Sequence, residues 1–186
     1  MSANIFSEPD KEILDRRGTI VEHLACLVSS DGLITDRDEC RAYETDALAV
    51  YRRIPLAVVL PTSTDEVSAV LKFCHDNGVK VVPRGAGTSL AGGAIPTEDA
   101  IVLGLSRMSR VLEINYDDRF IRVEAGVTNL SITSAVSDRG FFYAPDPSSQ
   151  LACTIGGNIA NNSGGAHCLK YGVTTNNLLG IRLVLI

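Results

Sequence analysis

The alternation of apolar and polar positions becomes regular from Leu56, where the apolar run 56–60 is closed by Pro61 and predicts a short buried strand. Ser63-Thr-Asp-Glu66 has the spacing of a capping box, and Val67, Val70, Leu71 and Cys74 then share one helical face until Asn77-Gly78 stops it. Residues 79–82 predict the next strand, so the stretch reads as a βαβ unit with parallel strands and a right-handed crossover. Three further short strands are predicted at 101–105, 111–116 and 120–125, the last two joined by a turn at Asp117-Asp118. Toward the N-terminus, Thr19-Ile-Val-Glu22 reads as a capping box for a helix carrying Ile20, Leu24, Leu27 and Val28, ended by Asp31-Gly32. The mixed stretch 36–53 reads as a connection wrapped around the domain. Thr128 is placed as the cap of a helix running to Asp138 and ending at Gly140, and the apolar run 181–186, ending in Ile186, as a strand.

Glycine adds a second pattern. Eight of the 16 glycines fall in two short segments, 83–94 and 155–165: Gly85, Gly87, Gly92 and Gly93 in the first, Gly156, Gly157, Gly164 and Gly165 in the second. Glycine permits positive φ and close approach of backbone N–H groups to a ligand, and successive exposed N–H groups form a nest for an anion. Thr88 and Ser89 add hydroxyls, Arg84 adds one positive charge, and neither segment holds an Asp or Glu. A diphosphate is the expected ligand class. Gly85-x-Gly87-x-x-Leu90 lacks the third glycine of a dinucleotide fingerprint, and Pro96 and a strand follow instead of a helix, which excludes a Rossmann loop. No Gly-Lys-Ser/Thr is present, which excludes a Walker loop. From Pro147 to Leu169 there is no Asp, Glu, Lys or Arg, a composition that fits loops packed on a large ligand or, alternatively, a buried structural turn.

Composition narrows the function classes. A chain of 186 residues, 45% apolar, can bury the core of one domain with a small extension. A net charge of -5 argues against nucleic acid as a partner. No apolar run is long enough to span a bilayer, and the charged first twenty residues do not read as a secretory signal. The five cysteines, Cys26, Cys40, Cys74, Cys153 and Cys168, are widely spaced and fit reduced thiols in a cytoplasmic protein, with no metal site.

The order and spacing of Tyr51-Arg-Arg-Ile-Pro55, Arg84-Gly-Ala-Gly-Thr88, Tyr143-Ala-Pro-Asp-Pro-Ser-Ser-Gln150, Ile155-Gly-Gly-Asn158 and Gly164-Gly165 through His167-Cys-Leu-Lys-Tyr-Gly-Val-Thr174 resemble one family. It is the vanillyl-alcohol-oxidase-type (PCMH-type) flavoproteins, and within them the FAD-linked subunits of bacterial glycolate oxidases. The resemblance implies an α+β fold of two small α/β subdomains with FAD between them. It divides the chain into an N-terminal helical extension, 1–42, and a FAD-binding domain, 43–186, that is incomplete at its C-terminus. It implies that Pro83, Arg84, Gly85, Ala86, Gly87, Thr88, Ser89 and Leu90 hold the pyrophosphate, and that Pro145, Asp146, Pro147, Ser148 and Ser149 run beside the flavin and ribityl chain. Ile155, Gly156, Gly157 and Asn158 would pass near the isoalloxazine, with Asn161, Ser163, Gly164 and Gly165 completing the cradle.

The implied activity is that of a 2-hydroxy acid (glycolate or D-lactate type) dehydrogenase or oxidase, with hydride passing from substrate Cα to flavin N5. The 2-hydroxy acid itself, and the catalytic base, would belong to a further domain; other oxidase subunits are the implied partners and could bring the protein to the inner membrane. Some members tether flavin through His or Cys, but residues 83–93 contain neither, so the FAD is expected to be non-covalent. His167 and Cys168 are read as packing residues, and His23 and His75 have no functional case. The competing readings are a binding module without turnover and an NADPH-dependent flavin reductase on the same scaffold; the 145–157 run favours the 2-hydroxy acid dehydrogenase over the reductase.

Overall fold

A computed structural model of the chain describes residues 8–185. Two compact units emerge: one holds the described residues up to Arg84, Leu90–Gly104 and the last described residues, and the other holds Gly85–Ser89 and Leu105–Leu183.

The first unit is built on a four-stranded sheet in the order β1 (Leu33–Ile34), β2 (Ala57–Val59), β4 (Ala100–Gly104), β3 (Lys80–Arg84). β2, β4 and β3 run parallel, while β1 is antiparallel to β2 with Leu33 opposite Val59. The expected parallel βαβ unit is present, with β4 inserted between its two strands. Its helix α4 (Thr64–Asp76) starts where Ser63 accepts from Glu66 N, and buries Val67, Val70, Leu71 and Cys74. Glu66 completes the cap one residue early, accepting from Thr62 N at 2.7 Å. The sheet interior is apolar: Val58, Val59, Ile101 and Val102 are fully buried, and Cys40, Ile34, Tyr43 and Leu60 pack around Val58 and Val102.

The N-terminal helix departs from expectation. Asp10 caps α1 (Lys11–Asp15) by accepting from Glu12 N, and α2 (Arg17–Ala25) follows at once. Thr19 therefore lies inside a helix already begun, with Ile20 N bonded to Arg16 O at 3.1 Å. The helix also ends well before Asp31-Gly32, because Leu33 and Ile34 are taken up as a strand against β2. Two residues are too few to show a period, so β1 left no mark in the pattern. Within 36–53, Asp36 caps α3 (Arg37–Cys40), a 3-10 turn (Arg41–Tyr43) continues it, and the remainder is irregular.

The second unit contains the hairpin β5 (Val111–Asn115) and β6 (Phe120–Val123), whose turn places Arg119 at φ 56°. Thr128 caps α5 (Asn129–Ser134) as expected, but the helix does not run to Asp138. It ends at Ser134 and is followed only by a 3-10 turn (Ser137–Arg139) before Gly140 at φ 75°. Ser and Thr crowd this stretch and compete for backbone groups, as Ser137 Oγ does on Ser134 O. Two more helices, α6 (Ile155–Asn161) and α7 (Cys168–Tyr171), occupy a region expected to be loop. Val127, Ile132 and Ile155 form this unit's core, with Ile121, Val123, Tyr143 and Ile159 packed on it. Residues 181–185 form no strand: no ladder partner pairs with them among the described residues, and Ile181, Leu183 and Leu185 are exposed. Ile186 lies outside the described residues. Among the described residues no helix is long and apolar enough to cross a membrane.

Candidate functional site

The second unit brings residues 85–89 of the first glycine-rich segment together with the second segment. Residues 85–89 lie against the start of α6, where Thr154 is the cap: its Oγ1 accepts from Gly157 N at 3.4 Å. A Cβ on Gly85 would collide with that same Oγ1, so the loop fits there only because residue 85 has no side chain. Gly87 sits at φ 71°, a conformation that costs an L-residue about 1–2 kcal/mol. At the far end, Ser89 Oγ donates to Asn161 Oδ1 at 3.2 Å, and Asn161 Nδ2 donates to Gly157 O at 3.0 Å. The result is a strip of backbone and hydroxyl groups without a carboxylate.

The second segment is a helix in its first half, not a loop. Gly156 N donates to Ala125 O at 2.9 Å and Ile155 N to Val127 O at 2.9 Å, so the helix start is laced to the strand exit before it. A Cβ on Gly156 would come within 3.0 Å of Ala125 Cβ, so Gly156 has a packing reason independent of any ligand. The sequence pattern hid this helix, because Ile-Gly-Gly-Asn carries poor helix formers and tertiary contacts supply what propensity does not. Asn162, at φ 47°, ends it, and its Oδ1 accepts from Thr175 Oγ1 at 2.9 Å.

A buried amide relay fixes the approach of 145–149. Asn158 Nδ2 donates to Asn129 Oδ1 at 2.9 Å, and Asn129 Nδ2 donates to Pro145 O at 2.9 Å; both side chains are almost completely buried. Beside it, Asp146 Oδ2 meets His167 Nδ1 at 2.6 Å while Oδ1 accepts from His167 N at 3.2 Å. The hydrogen bonds from His167 hold the Asp146 carboxyl below its ordinary pKa. Gly165 packs onto the Asp146 backbone so tightly that any Cβ there would strike its carbonyl. Gly165 N donates to Cys168 Sγ at 2.8 Å, and Thr174 Oγ1 donates to Ser163 O at 2.7 Å from a fully buried position.

The expected site residues thus separate into groups. Gly85, Ala86, Gly87, Thr88 and Ser89 lie with Gly156, Gly157, Asn161, Ser163 and Gly164 in one unit, as do Asp146, Ser148, Ser149 and Gly165. Pro145, Pro147, Ile155 and Asn158 are buried and form its frame. Pro83, Arg84 and Leu90 belong to the sheet unit, where Arg84 directs its guanidinium to the carbonyls of Thr45 and Ala94, and Leu90 is exposed. Two site-building residues carry little signal in the sequence: Thr154, marked only by its place before Ile-Gly-Gly-Asn at the start of α6, and Asn129, which carries none. His167, read as packing, is largely exposed and paired with Asp146. All five cysteines are free, and no cluster of metal-ligating side chains occurs among the described residues.

Residues 55–185 match the family model described as FAD binding domain. The chain belongs to the FAD binding domain family. It is 52% identical over 146 residues to glycolate oxidase subunit GlcD of Escherichia coli (strain K12), covering 78% of this chain and 29% of that protein. It is 41% identical over 149 residues to D-lactate dehydrogenase of Archaeoglobus fulgidus, covering 80% of this chain and 33% of that one. The chain therefore spans about three-tenths of the length of these relatives. A solved structure of p-cresol methylhydroxylase superposes with a TM-score of 0.68 over 83% of this chain and 30% of its own, at 19% identity, a likeness of fold alone. The mixed α/β architecture fits the FAD binding domain family, and its fold is shared with p-cresol methylhydroxylase.

Proposed function

We propose that this FAD binding domain is the cofactor-holding portion of a flavin-dependent 2-hydroxy acid dehydrogenase or oxidase, with residues 43–186 as its FAD-binding part. The observation that carries the reading is the convergence of residues 85–89 with Thr154, Gly157 and Asn161 in a carboxylate-free strip, in a chain 52% identical to a glycolate oxidase subunit over 146 residues. The strip suits a diphosphate, since the positive φ of Gly87 lets backbone N–H groups approach a ligand closely and Thr88 adds a hydroxyl. Pro145, Asp146, Pro147, Ser148 and Ser149, held by the Asn158–Asn129 relay, line the adjoining ribityl and flavin path, and Gly164 and Gly165 close it. When bound, FAD would supply the acceptor for a hydride from the substrate Cα. This chain's residues bind and orient; the 2-hydroxy acid and partner subunits, such as those implied by the name of the GlcD subunit, would be met by parts of a larger assembly.

Titration of the chain with FAD, followed by flavin fluorescence, tests the cofactor reading: saturable binding is expected, and its absence up to millimolar FAD would overturn it. Glycolate- or D-lactate-dependent dye reduction, measured with the polypeptides encoded beside the chain, tests the substrate class. Attachment is non-covalent in this reading, because residues 83–93 lack His and Cys. Acid precipitation of the loaded protein is expected to leave all flavin in the supernatant, and fluorescence retained on the denatured chain would show a tether.

A further inference from the structure

Both ends of the glycine-rich loop return to one short stretch of the sheet unit, residues 43–48. At the entry, Arg84 Nη1 donates to Thr45 O at 2.7 Å and to Ala94 O at 3.4 Å, with its guanidinium 5.6 Å from the centroid of the Tyr43 ring. At the exit, Asp46, which is 5% exposed, accepts from Gly92 N through Oδ2 at 3.0 Å and from Leu48 N through Oδ1 at 2.8 Å. Burial draws the Arg84 pKa below its ordinary value, while the negative charge of Asp46 opposes that fall.

We propose that residues 43–48 are a brace for the cofactor loop: Asp46 and Arg84 are positioning residues that pre-order residues 85–93, and the Arg84 charge is used inside the protein, not on a phosphate. The loop-ordering part stands on these contacts alone, while its consequence for FAD rests on the proposed function. The need for a brace follows from composition. Gly85, Gly87, Gly92 and Gly93 make the loop unusually free, and an unbraced loop must be ordered by its ligand at the expense of affinity. The two residue types fit their tasks. Arg84 Nη1 serves both carbonyls while the planar guanidinium lies over the Tyr43 ring, an arrangement that an ammonium on a flexible stem does not reproduce. A carboxylate accepts from two backbone N–H groups through separate oxygens, whereas an amide offers only one acceptor.

The test is amide hydrogen exchange of the 186-residue chain without FAD, beside FAD titration at low and high salt. Asp46→Ala, Arg84→Met and Arg84→Lys are expected to speed exchange in residues 85–93 at least tenfold and to weaken FAD binding at least tenfold, with exchange in α4 unchanged. Asp46→Asn, the mildest variant, should fall between these and the parent. A phosphate-binding Arg84 makes the opposite forecast: Arg84→Lys would keep most of the affinity, and that affinity would drop with salt. Parent-like loop exchange in Arg84→Met and Asp46→Ala, or parent-like behaviour of Arg84→Lys, overturns the brace. Faster exchange throughout α4 would make these residues general stabilisers and overturn the positioning role as well. Absence of FAD binding by the parent chain would sink the cofactor reading while the exchange arm still decides the brace.

Discussion

Gly87 concentrates the demands of the site in one residue. Its φ of 71° is open to glycine at no steric cost and closed to a β-branched side chain, which also stiffens the backbone where the proposed function needs N–H groups to face a ligand. Gly87→Val is expected to abolish flavin retention, with Gly87→Ala losing less. Flavin absorbance after gel filtration is the measurement, and a yellow Gly87→Val protein would remove residues 85–89 from the site. Cys74 makes the opposite case. It is fully buried on α4, and burial pushes its thiol up to about 12, so it should stay inert while exposed Cys26 reacts. Iodoacetamide at pH 8 should therefore label Cys26 in the native chain and Cys74 only after unfolding. Cys74→Ala should cost roughly 1–2 kcal/mol of stability and leave flavin binding intact.

Among the elements, legibility followed the source of each element's stability. α4 declared itself because its cap, apolar face and stop are all local, and β2 and β4 because buried parallel strands are continuous apolar runs. β1 and α6 did not, since both exist through distant partners: β1 through Val58 and Val59, α6 through Ala125 and Val127. The same division runs through the site. Its glycines and hydroxyls were legible as composition, whereas Thr154, Asn129 and Asp46 act through neighbours that no spacing reveals. Thr154 is where the two kinds of information meet, because one Oγ1 both caps α6 and fills the space left by Gly85. Thr154→Ser should be near neutral. Thr154→Val keeps the shape and loses the cap, for about 0.5–1 kcal/mol given the long 3.4 Å bond. Gly85→Ala, which drives a methyl into Thr154, should cost more than Thr154→Val in urea unfolding. The reverse order would show that residues 85–89 can leave α6 freely.

At the scale of the chain, one buried carboxylate ties residues far apart in sequence. Asp99 is fully buried at the start of β4, and its Oδ2 accepts from Asp10 N at 2.9 Å and from Lys80 Nζ at 2.6 Å. It joins the segment before α1 to the first residue of β3 and the strand between β2 and β3. Burial works against its charge, yet the bonds from Lys80, the Thr97 side chain and the Asp10 backbone outweigh it and hold the carboxyl at about 2. A carboxylate depressed by folding stabilises above its ordinary value of about 3.9, and that contribution is lost as pH falls toward its folded value. The window for this chain is therefore from about pH 4 down to about pH 2. Asp99→Asn leaves Lys80 without its partner and an amide where a charge was accommodated. The expected loss is about 3 kcal/mol at pH 7, or a fall in Tm of roughly 6–12 °C for a chain of this size. Lys80→Met should cost at least as much, since it leaves the fully buried Asp99 carboxylate without its counter-charge, whereas the half-exposed ammonium left by Asp99→Asn can be solvated. Circular dichroism melts between pH 2 and pH 7 provide the check: the stability gap between the parent and Asp99→Asn should be steady above pH 4 and close steadily below it. Parallel curves through that window would mean that Asp99 gives up its proton no more readily in the fold than in the unfolded chain, and the tie from Asp10 to Lys80 would then be incidental.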